Sequence, residues 1–308
     1  MAILFHCPWA NAEAWRRLIA EALPEAELRT WPEVGEPSEI AFAMVWQPPA
    51  GALAGLPRLR GVCALGAGVD ALLRDPTLPD VPLARLVDPL MAERMAEYVV
   101  GQALRHHLRT DGYAAQQRAV QWRRLPCKDA GDRTVGMLGL GASGRRAAER
   151  LKLQGFRVAG WSRTAQRLDG VACHHGGAGL DALLRKAEIL VCLLPLTAET
   201  RGVLDAGLFA RLPEGAALIN VARGAHLVEA DLLAALDSGR LSGATLDVLT
   251  EEPPPPDHPF WRHPNILLTP HVSSLSEPRT GAAILAEQYR RAMRGEPMRD
   301  LVDRQAGY

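Results

Sequence analysis

Residues 133 to 145 read Arg-Thr-Val-Gly-Met-Leu-Gly-Leu-Gly-Ala-Ser-Gly-Arg, and the way this stretch folds decides the rest of the chain. The apolar run Val135 to Leu138 predicts a buried strand. Gly139, Gly141 and Gly144 follow at G-x-G-x-x-G spacing, a helical segment runs to about Gln154, and Phe156 to Trp161 predicts a second strand. Strand, turn, helix and strand in that order is the setting in which the glycine pattern carries meaning. Gly139 permits the tight turn, Gly141 lets a pyrophosphate approach the backbone, and Gly144 lets helix and strand pack closely. Phosphates would then rest on the amides and the positive end of the helix dipole. A glycine-rich turn without a ligand is the plain alternative, and the two strands and the helix count against it.

A site that prefers NAD carries Asp or Glu at the end of the second strand to hold the ribose 2′-hydroxyl. Here stand Trp161, Ser162, Arg163 and Thr164, with no acid. A carboxylate would repel a 2′-phosphate, whereas a guanidinium and flanking hydroxyls can hydrogen-bond it. Ser162, Arg163 and Thr164 therefore point to NADP(H), with NADPH preferred over NADH. The other reading of Arg163 is an arginine solvated on the rim.

With 308 residues the chain is long enough for two domains, at about 150 residues each. Lys plus Arg and Asp plus Glu both total 35, so no charge imbalance points to nucleic acid or to a membrane surface. Met1 to His6 is too short for the core of a signal peptide, and no later run reaches a membrane span, so a soluble cytoplasmic protein is expected. The five cysteines form no C-x-x-C pair and are expected to be reduced, mostly buried thiols. His106-His107 and His174-His175 lack a completing Cys or carboxylate. We read them as surface histidines and expect no metal.

Upstream of the glycine motif, Ile3 to Phe5, Ala43 to Trp46 and Val62 to Leu65 are predicted strands, and Glu13 to Ala22 a helix. Such alternation predicts a parallel sheet covered by helices on both faces, with ligands beyond the carboxyl ends of the strands. Two loops lie there: Trp46-Gln47-Pro48-Pro49, and Leu65-Gly66-Ala67-Gly68-Val69-Asp70. The glycines of the second can turn successive amides toward one point as an anion nest, or simply make a turn. Met91, Met95, Tyr98 and Val99 fall at i, i+4, i+7 and i+8, which predicts an amphipathic helix to about Arg109. We expect it to pass from one domain to the other and act as a hinge. Residues 110–130 show no core pattern yet contain Tyr113, Trp122 and Leu125, which suits either a dimer arm or a solvent-exposed excursion.

Downstream, strands are expected at Ile189 to Leu194, Ala217 to Ala222, Gly243 to Val248 and Asn265 to Thr269, with a helix at Leu227 to Asp237 closed by Gly239. A last helix, Pro278 to Arg294, is placed to return to the first domain. Arg223, Glu252 and His271 stand at the ends of these later strands. Hydride transfer to a 2-keto acid needs a carboxylate clamp, a proton donor for the carbonyl oxygen, and a group that keeps the donor charged. Arg223 can grip a carboxylate in bidentate fashion, His271 can give the proton, and Glu252 can support it. Taken singly, each is accounted for as a surface or capping residue; their joint placement argues for a site.

The chain resembles the D-isomer-specific 2-hydroxyacid dehydrogenase family, and within it the glyoxylate/hydroxypyruvate reductase A group. The segments that carry the resemblance are ALGAGVD (64–70), GLGASG (139–144), WSRT (161–164), LLPLTAET (193–200), NVARG (220–224), ATLDV (244–248), PDHPFW (256–261), LTPHV (268–272) and the closing VDRQAGY. They run nearly from end to end. The resemblance implies an α/β protein of two doubly wound parallel-sheet, Rossmann-like domains with a cleft between them. Residues 1–95 with 276–308 would form a discontinuous substrate domain, and 96–275 the NADP-binding domain. It implies a homodimer in which Arg223, Glu252 and His271 are catalytic. Ala142 and Ser143 would meet the pyrophosphate, Leu194, Pro195 and Thr200 the adenosine side and ribose, and Ala222 and Asp247 the nicotinamide carboxamide. Gly66, Ala67 and Gly68 would take the substrate carboxylate beside Trp46. Glu251 doubles the acid before Pro253, and Leu249 stands where Phe is commoner.

The activity expected is NADPH-dependent reduction of glyoxylate or hydroxypyruvate, other 2-keto acids remaining open. A formate-dehydrogenase-like relative would carry Gln at position 252. The rival class is a dinucleotide-sensing, corepressor-like binding protein, which shares the triad but carries a disordered tail beyond the final helix.

Overall fold

A computed structural model describes every residue from Met1 to Tyr308. The chain forms two compact units, one made of Met1–Met91 with Ser276–Tyr308 and the other of Ala92–Leu275.

In the first unit the strands are β1 (Ala2–His6), β2 (Glu27–Thr30), β3 (Ile40–Val45), β4 (Val62–Ala64) and β5 (Leu83–Arg85), with helices α1 (Ala12–Ala22) and α2 (Asp70–Leu73) between them. The order across the sheet is β2-β1-β3-β4-β5, and every pair is parallel. Parallel pairing needs crossovers, which cover both faces and make the central strands apolar throughout. β3 shows this directly, being buried at all six positions. Side chains alternate between two cores: Ile3, Phe5, Phe42 and Met44 face one way with Trp15 and Ile19 of α1, whereas Leu4, Ala43 and Val45 face the other with Leu53 and Leu72. Ile19 has no exposed surface, and burying it contributes about 2 kcal/mol. β2 and β5 are not evident from the sequence. β2 is an edge strand with no fully buried residue, and β5 has only three residues.

The chain leaves this unit through α3 (Pro89–His107), inside which the division between the two units falls. After α4 (Thr110–Arg118) come β6 (Thr134–Leu138), α5 (Ala142–Leu153), β7 (Arg157–Ser162), β8 (Ala172–His175), α6 (Gly176–Leu184) and β9 (Ile189–Cys192). They are followed by α7 (Ala206–Arg211), β10 (Ala216–Asn220), α8 (Glu229–Asp237), β11 (Leu241–Leu246) and β12 (Ile266–Leu268). All seven strands are parallel in the order β12-β11-β10-β9-β6-β7-β8. The order reverses between β6 and β9, and ligands of such sheets bind at that switch point, beyond the strand carboxyl ends. The glycine motif follows β6 directly.

α9 (Pro278–Met293) belongs to the first unit and packs on α1. The fit is close: a Cβ on Gly281 would lie 2.3 Å from the Trp15 ring. Arg290 adds an ion pair to Glu25 at 2.8 Å and a hydrogen bond to the Ala22 carbonyl.

Two expectations need correction. His107 is buried, not on the surface, with its ring edge-on to Phe156, and His106 is half-buried with Nε2 3.0 Å from Thr245 Oγ1. Both lie on α3 faces that meet the second unit's interior, where Ala96, Val99 and Ala103 point the way at helical spacing. Of the cysteines, all free, only Cys63 and Cys192 are buried; Cys7 and Cys173 are intermediate and Cys127 is exposed. Cys63 and Cys192 lie in inner strands, whereas Cys173 is on the edge strand β8 and Cys127 in the run after α4. No helix is long and apolar enough to cross a membrane.

Candidate active site

In the second unit the turn after β6 is held by a Gly139 N–H bond to the Trp161 carbonyl, 2.9 Å, and Gly139 has φ +103°, which disfavours a side chain. A Cβ on Gly144 would lie 2.1 Å from the Gly139 oxygen, so only glycine lets α5 start this close to the strand. Gly141 is the N-cap of α5, with no side-chain cap, and a Cβ there would meet nothing within 4 Å. The first-turn amides of Ala142, Ser143 and Gly144 have no intrahelical acceptor. This is a cradle for phosphate, and its residues fit a dinucleotide.

At the end of β7, Ser162 Oγ donates to the Thr164 carbonyl at 2.8 Å, and Arg163 and Thr164 are exposed. Gln166 links this turn to α5, its amide N 3.4 Å from Thr164 Oγ1 and its oxygen accepting from Arg145. No acid stands on this turn from 161 to 164. Beyond β9, Pro195 offers its carbonyl to Thr200 Oγ1 at 2.7 Å and to His226 Nε2 at 3.2 Å.

His226 is not singled out by any sequence pattern. It is fully buried, and its Nδ1 accepts from the Arg223 N–H at 3.2 Å, which leaves Nε2 to donate to Pro195. The loop carrying Arg223 is thereby tied to the loop after β9. It is equally close to the loop after β11, where a Cβ on Gly224 would lie 1.9 Å from the Leu249 carbonyl carbon. One Arg223 nitrogen donates to the Ala222 carbonyl at 2.7 Å.

Of the two adjacent acids, Glu252 is the one that reaches the imidazole: its Oε2 is 2.9 Å from His271 Nδ1, and its Oε1 accepts from the Leu249 N–H at 2.9 Å. A carboxylate only accepts, so Nδ1 carries a proton and Nε2 is the nitrogen left for other chemistry. Burial pushes the Glu252 carboxyl up, but the His271 bond, the Leu249 N–H and the charges of His271 and Arg223 together hold it below its ordinary value. Arg223, Glu252 and His271 follow β10, β11 and β12, three neighbouring strands of the sheet. His271 has φ +54°, a left-handed conformation uncommon for a residue with a Cβ.

Asp247, only 1% exposed, does not stand open toward a ligand with both oxygens. Oδ1 accepts from Thr269 Oγ1 at 2.5 Å and the Val272 N–H at 2.9 Å, and Oδ2 from the Ser273 N–H at 2.8 Å. Tyr98 of α3 reaches Thr269 Oγ1 at 2.5 Å.

In the first unit, Trp46 follows β3 and its ring lies over Gly66, where a Cβ would be 2.5 Å away. Trp9 stacks obliquely on the same ring, at 5.2 Å between centroids. No residue from 65 to 70 has positive φ, so Gly66-Ala67-Gly68 does not form the alternating-hand turn of an anion nest. Gly66 is required for close approach of the indole, a reason the sequence pattern does not distinguish from turn formation.

Comparison with known proteins identifies the family. The family model described as "D-isomer specific 2-hydroxyacid dehydrogenase, NAD binding domain" matches residues 100–273. The chain belongs to the D-isomer specific 2-hydroxyacid dehydrogenases. Among this family, glyoxylate/hydroxypyruvate reductase A of Serratia proteamaculans is 43% identical over the full length of both chains. A D-isomer specific 2-hydroxyacid dehydrogenase from Xanthobacter autotrophicus Py2, solved with NADPH and MES, has a TM-score of 0.95 and 43% identity, covering 100% of this chain and 99% of its own. The NADPH-dependent glyoxylate/hydroxypyruvate reductase of Sinorhizobium meliloti, solved with NADP and sulfate, has a TM-score of 0.93 at 39% identity, each chain fully covered. The α/β fold of this chain, with its two parallel sheets, is thus similar to that of solved 2-hydroxyacid dehydrogenases.

Proposed function

We propose that the protein is an NADPH-dependent reductase that converts a small 2-keto acid, glyoxylate or hydroxypyruvate, to the 2-hydroxy acid. The observation that carries this reading is the Glu252–His271 pair at 2.9 Å, set in the neighbourhood of Arg223 on the loops after the strands. The coenzyme supplies the hydride for the carbonyl carbon. His271 gives the proton on Nε2 to the carbonyl oxygen, and Glu252 stabilises the imidazolium before that transfer and fixes the ring through Nδ1. Arg223 holds the substrate carboxylate as a bidentate partner.

Ala142, Ser143 and the three motif glycines bind the pyrophosphate, and Ser162, Arg163 and Thr164 bind the 2′-phosphate. Leu194, Pro195 and Thr200 line the adenosine and ribose side, while Ala222 and the remaining acceptor capacity of Asp247 serve the nicotinamide carboxamide. In the first unit, Trp46 and the backbone N–H groups of Gly66, Ala67 and Gly68 are the candidate residues for recognition of the carboxylate. Residues 1–95 with 276–308 are assigned as the substrate domain and 96–275 as the coenzyme domain; the match of the NAD binding domain to 100–273 and the division of the chain at 91/92 and 275/276 support this reading. The exposed Val120 and Trp122, 94% and 104% accessible, support a homodimer formed through 110–130.

The test is oxidation of NADPH and NADH, at equal concentration, with glyoxylate, hydroxypyruvate and pyruvate in turn. NADPH oxidation is expected with the first two, and Arg163→Ala is expected to raise the KM for NADPH by about tenfold or more while sparing NADH. Oxidation of neither coenzyme with any keto acid would point to a binding protein, and faster use of NADH would remove the role given to Arg163.

A further inference from the structure

The loop that carries His271 is held from beneath by one buried carboxylate. Thr269 Oγ1, the Val272 N–H and the Ser273 N–H all converge on Asp247, and the His271 N–H donates to the Asp247 carbonyl at 2.9 Å. A side-chain hydroxyl and three backbone amides of a five-residue loop are thus fixed by a single residue at the end of β11. Between them sits His271 at φ +54°, a conformation that persists only where its surroundings enforce it.

The direction of the protons along this chain is determined. Asp247 as a carboxylate can only accept, so the single hydrogen of the Thr269 hydroxyl is committed to Oδ1. Tyr98 must therefore donate to Thr269 Oγ1 across their 2.5 Å contact. Burial, partly offset by the bond to Thr269, pushes the Tyr98 hydroxyl up to about 12, so it keeps the proton it donates.

Tyr98 is one member of a polar stripe on α3. Gln102, Arg105 and His106 follow it at helical spacing, and all three meet Thr245 in β11: Gln102 Oε1 at 3.5 Å, an Arg105 nitrogen at 3.0 Å and His106 Nε2 at 3.0 Å. Thr245 is two residues before Asp247, on the same side of the strand. The stripe sets the register of α3 against β11, and Tyr98 is its end nearest His271.

We propose that Tyr98 and Thr269 are positioning residues for the reaction: through Asp247 they hold the 269–273 loop in the posture that brings the His271 imidazole onto Glu252. The inference rests on the role of His271 as proton donor. Neither hydroxyl touches substrate or coenzyme in this reading, so their loss acts on turnover and leaves coenzyme binding alone.

Three variants test it, Tyr98→Phe, Thr269→Val and Thr269→Ser, assayed with NADPH and glyoxylate beside His271→Ala. Thr269→Val keeps the shape and removes both hydroxyl bonds, so kcat is expected to fall about tenfold or more, and Tyr98→Phe to lower it about threefold or more. KM for NADPH should stay within about twofold of wild type in both, and Thr269→Ser, which restores the hydroxyl, should recover kcat to within about threefold. Unchanged turnover in Thr269→Val overturns the proposal. So does a Thr269→Ser enzyme as slow as Thr269→Val, which would assign the effect to methyl packing, or a rise in KM for NADPH with kcat unchanged. If Thr269→Val does not fold, Tyr98→Phe alone decides, a wild-type kcat overturning the proposal. Wild-type turnover in His271→Ala would instead remove the proton-donor role on which the inference stands.

Discussion

His106 makes a quantitative prediction about acid sensitivity. Its ring is packed between α3 and β11, and burial, with the charges of Arg105 and Arg133 adding to it, lowers its pKa from 6.5 to about 3. In the unfolded chain the imidazole takes a proton as the pH falls through 6.5; in the folded protein it resists. The unfolded state then binds more protons, so stability falls with falling pH from 6.5 down to about 3. At about 1.4 kcal/mol per pK unit, the loss between pH 7 and pH 5 is about 2 kcal/mol. For a domain of this size that is a fall of roughly 4–8 °C in Tm. His6 and His107 are shifted in the same direction by burial, so the comparison must be with a variant. Gln at 106 keeps an amide that can reach Thr245 and cannot titrate. Unfolding of wild type and His106→Gln, by heat and by urea at both pH values, should show a loss about 2 kcal/mol smaller in the variant. An equal loss in the two proteins would refute the reasoning, because the ring would then be free to charge in place.

Other outcomes follow from the site. Gly144→Ala places a methyl 2.1 Å from the Gly139 oxygen; separation of α5 from the strand should weaken NADPH binding about tenfold or more, read by fluorescence titration. Arg223→Ala is expected to raise the KM for the keto acid sharply, whereas His271→Ala should mainly lower kcat, by about a hundredfold or more. An unchanged KM in the first variant would remove the carboxylate clamp. Trp122→Glu places a charge where the exposed indole now stands, and sedimentation should show a shift from dimer to monomer if 110–130 is the contact.

Strands buried on both faces are legible from the sequence, because an uninterrupted apolar run bounded by glycine or polar residues is too short for a core helix and too apolar for a loop. β1, β3, β6 and β9 are of this kind. β2 and β8 escape notice because, as edge strands, they are paired on one side only and carry polar or exposed residues. The Glu252–His271 contact can be anticipated from positions at strand ends. The Tyr98–Thr269–Asp247 chain cannot: Tyr98 reads as part of an apolar stripe, and which hydroxyl it meets depends on how far α3 slides along β11. His106 and His107 are misplaced for a related reason. A helical pattern marks a buried face, but histidine is counted as polar, so the apolar stripe stops short of the buried one.

The closeness of Gly281 to Trp15 bears on how the protein is made. The indole and Ile19 lie between the sheet and α9, and the α9 part of their cover comes about 260 residues later in the chain. During synthesis the first sheet and α1 emerge early and must wait, with part of one apolar face uncovered, while the whole of the second unit is translated. That apolar surface stays open to solvent for the length of the delay, until the last helix leaves the ribosome.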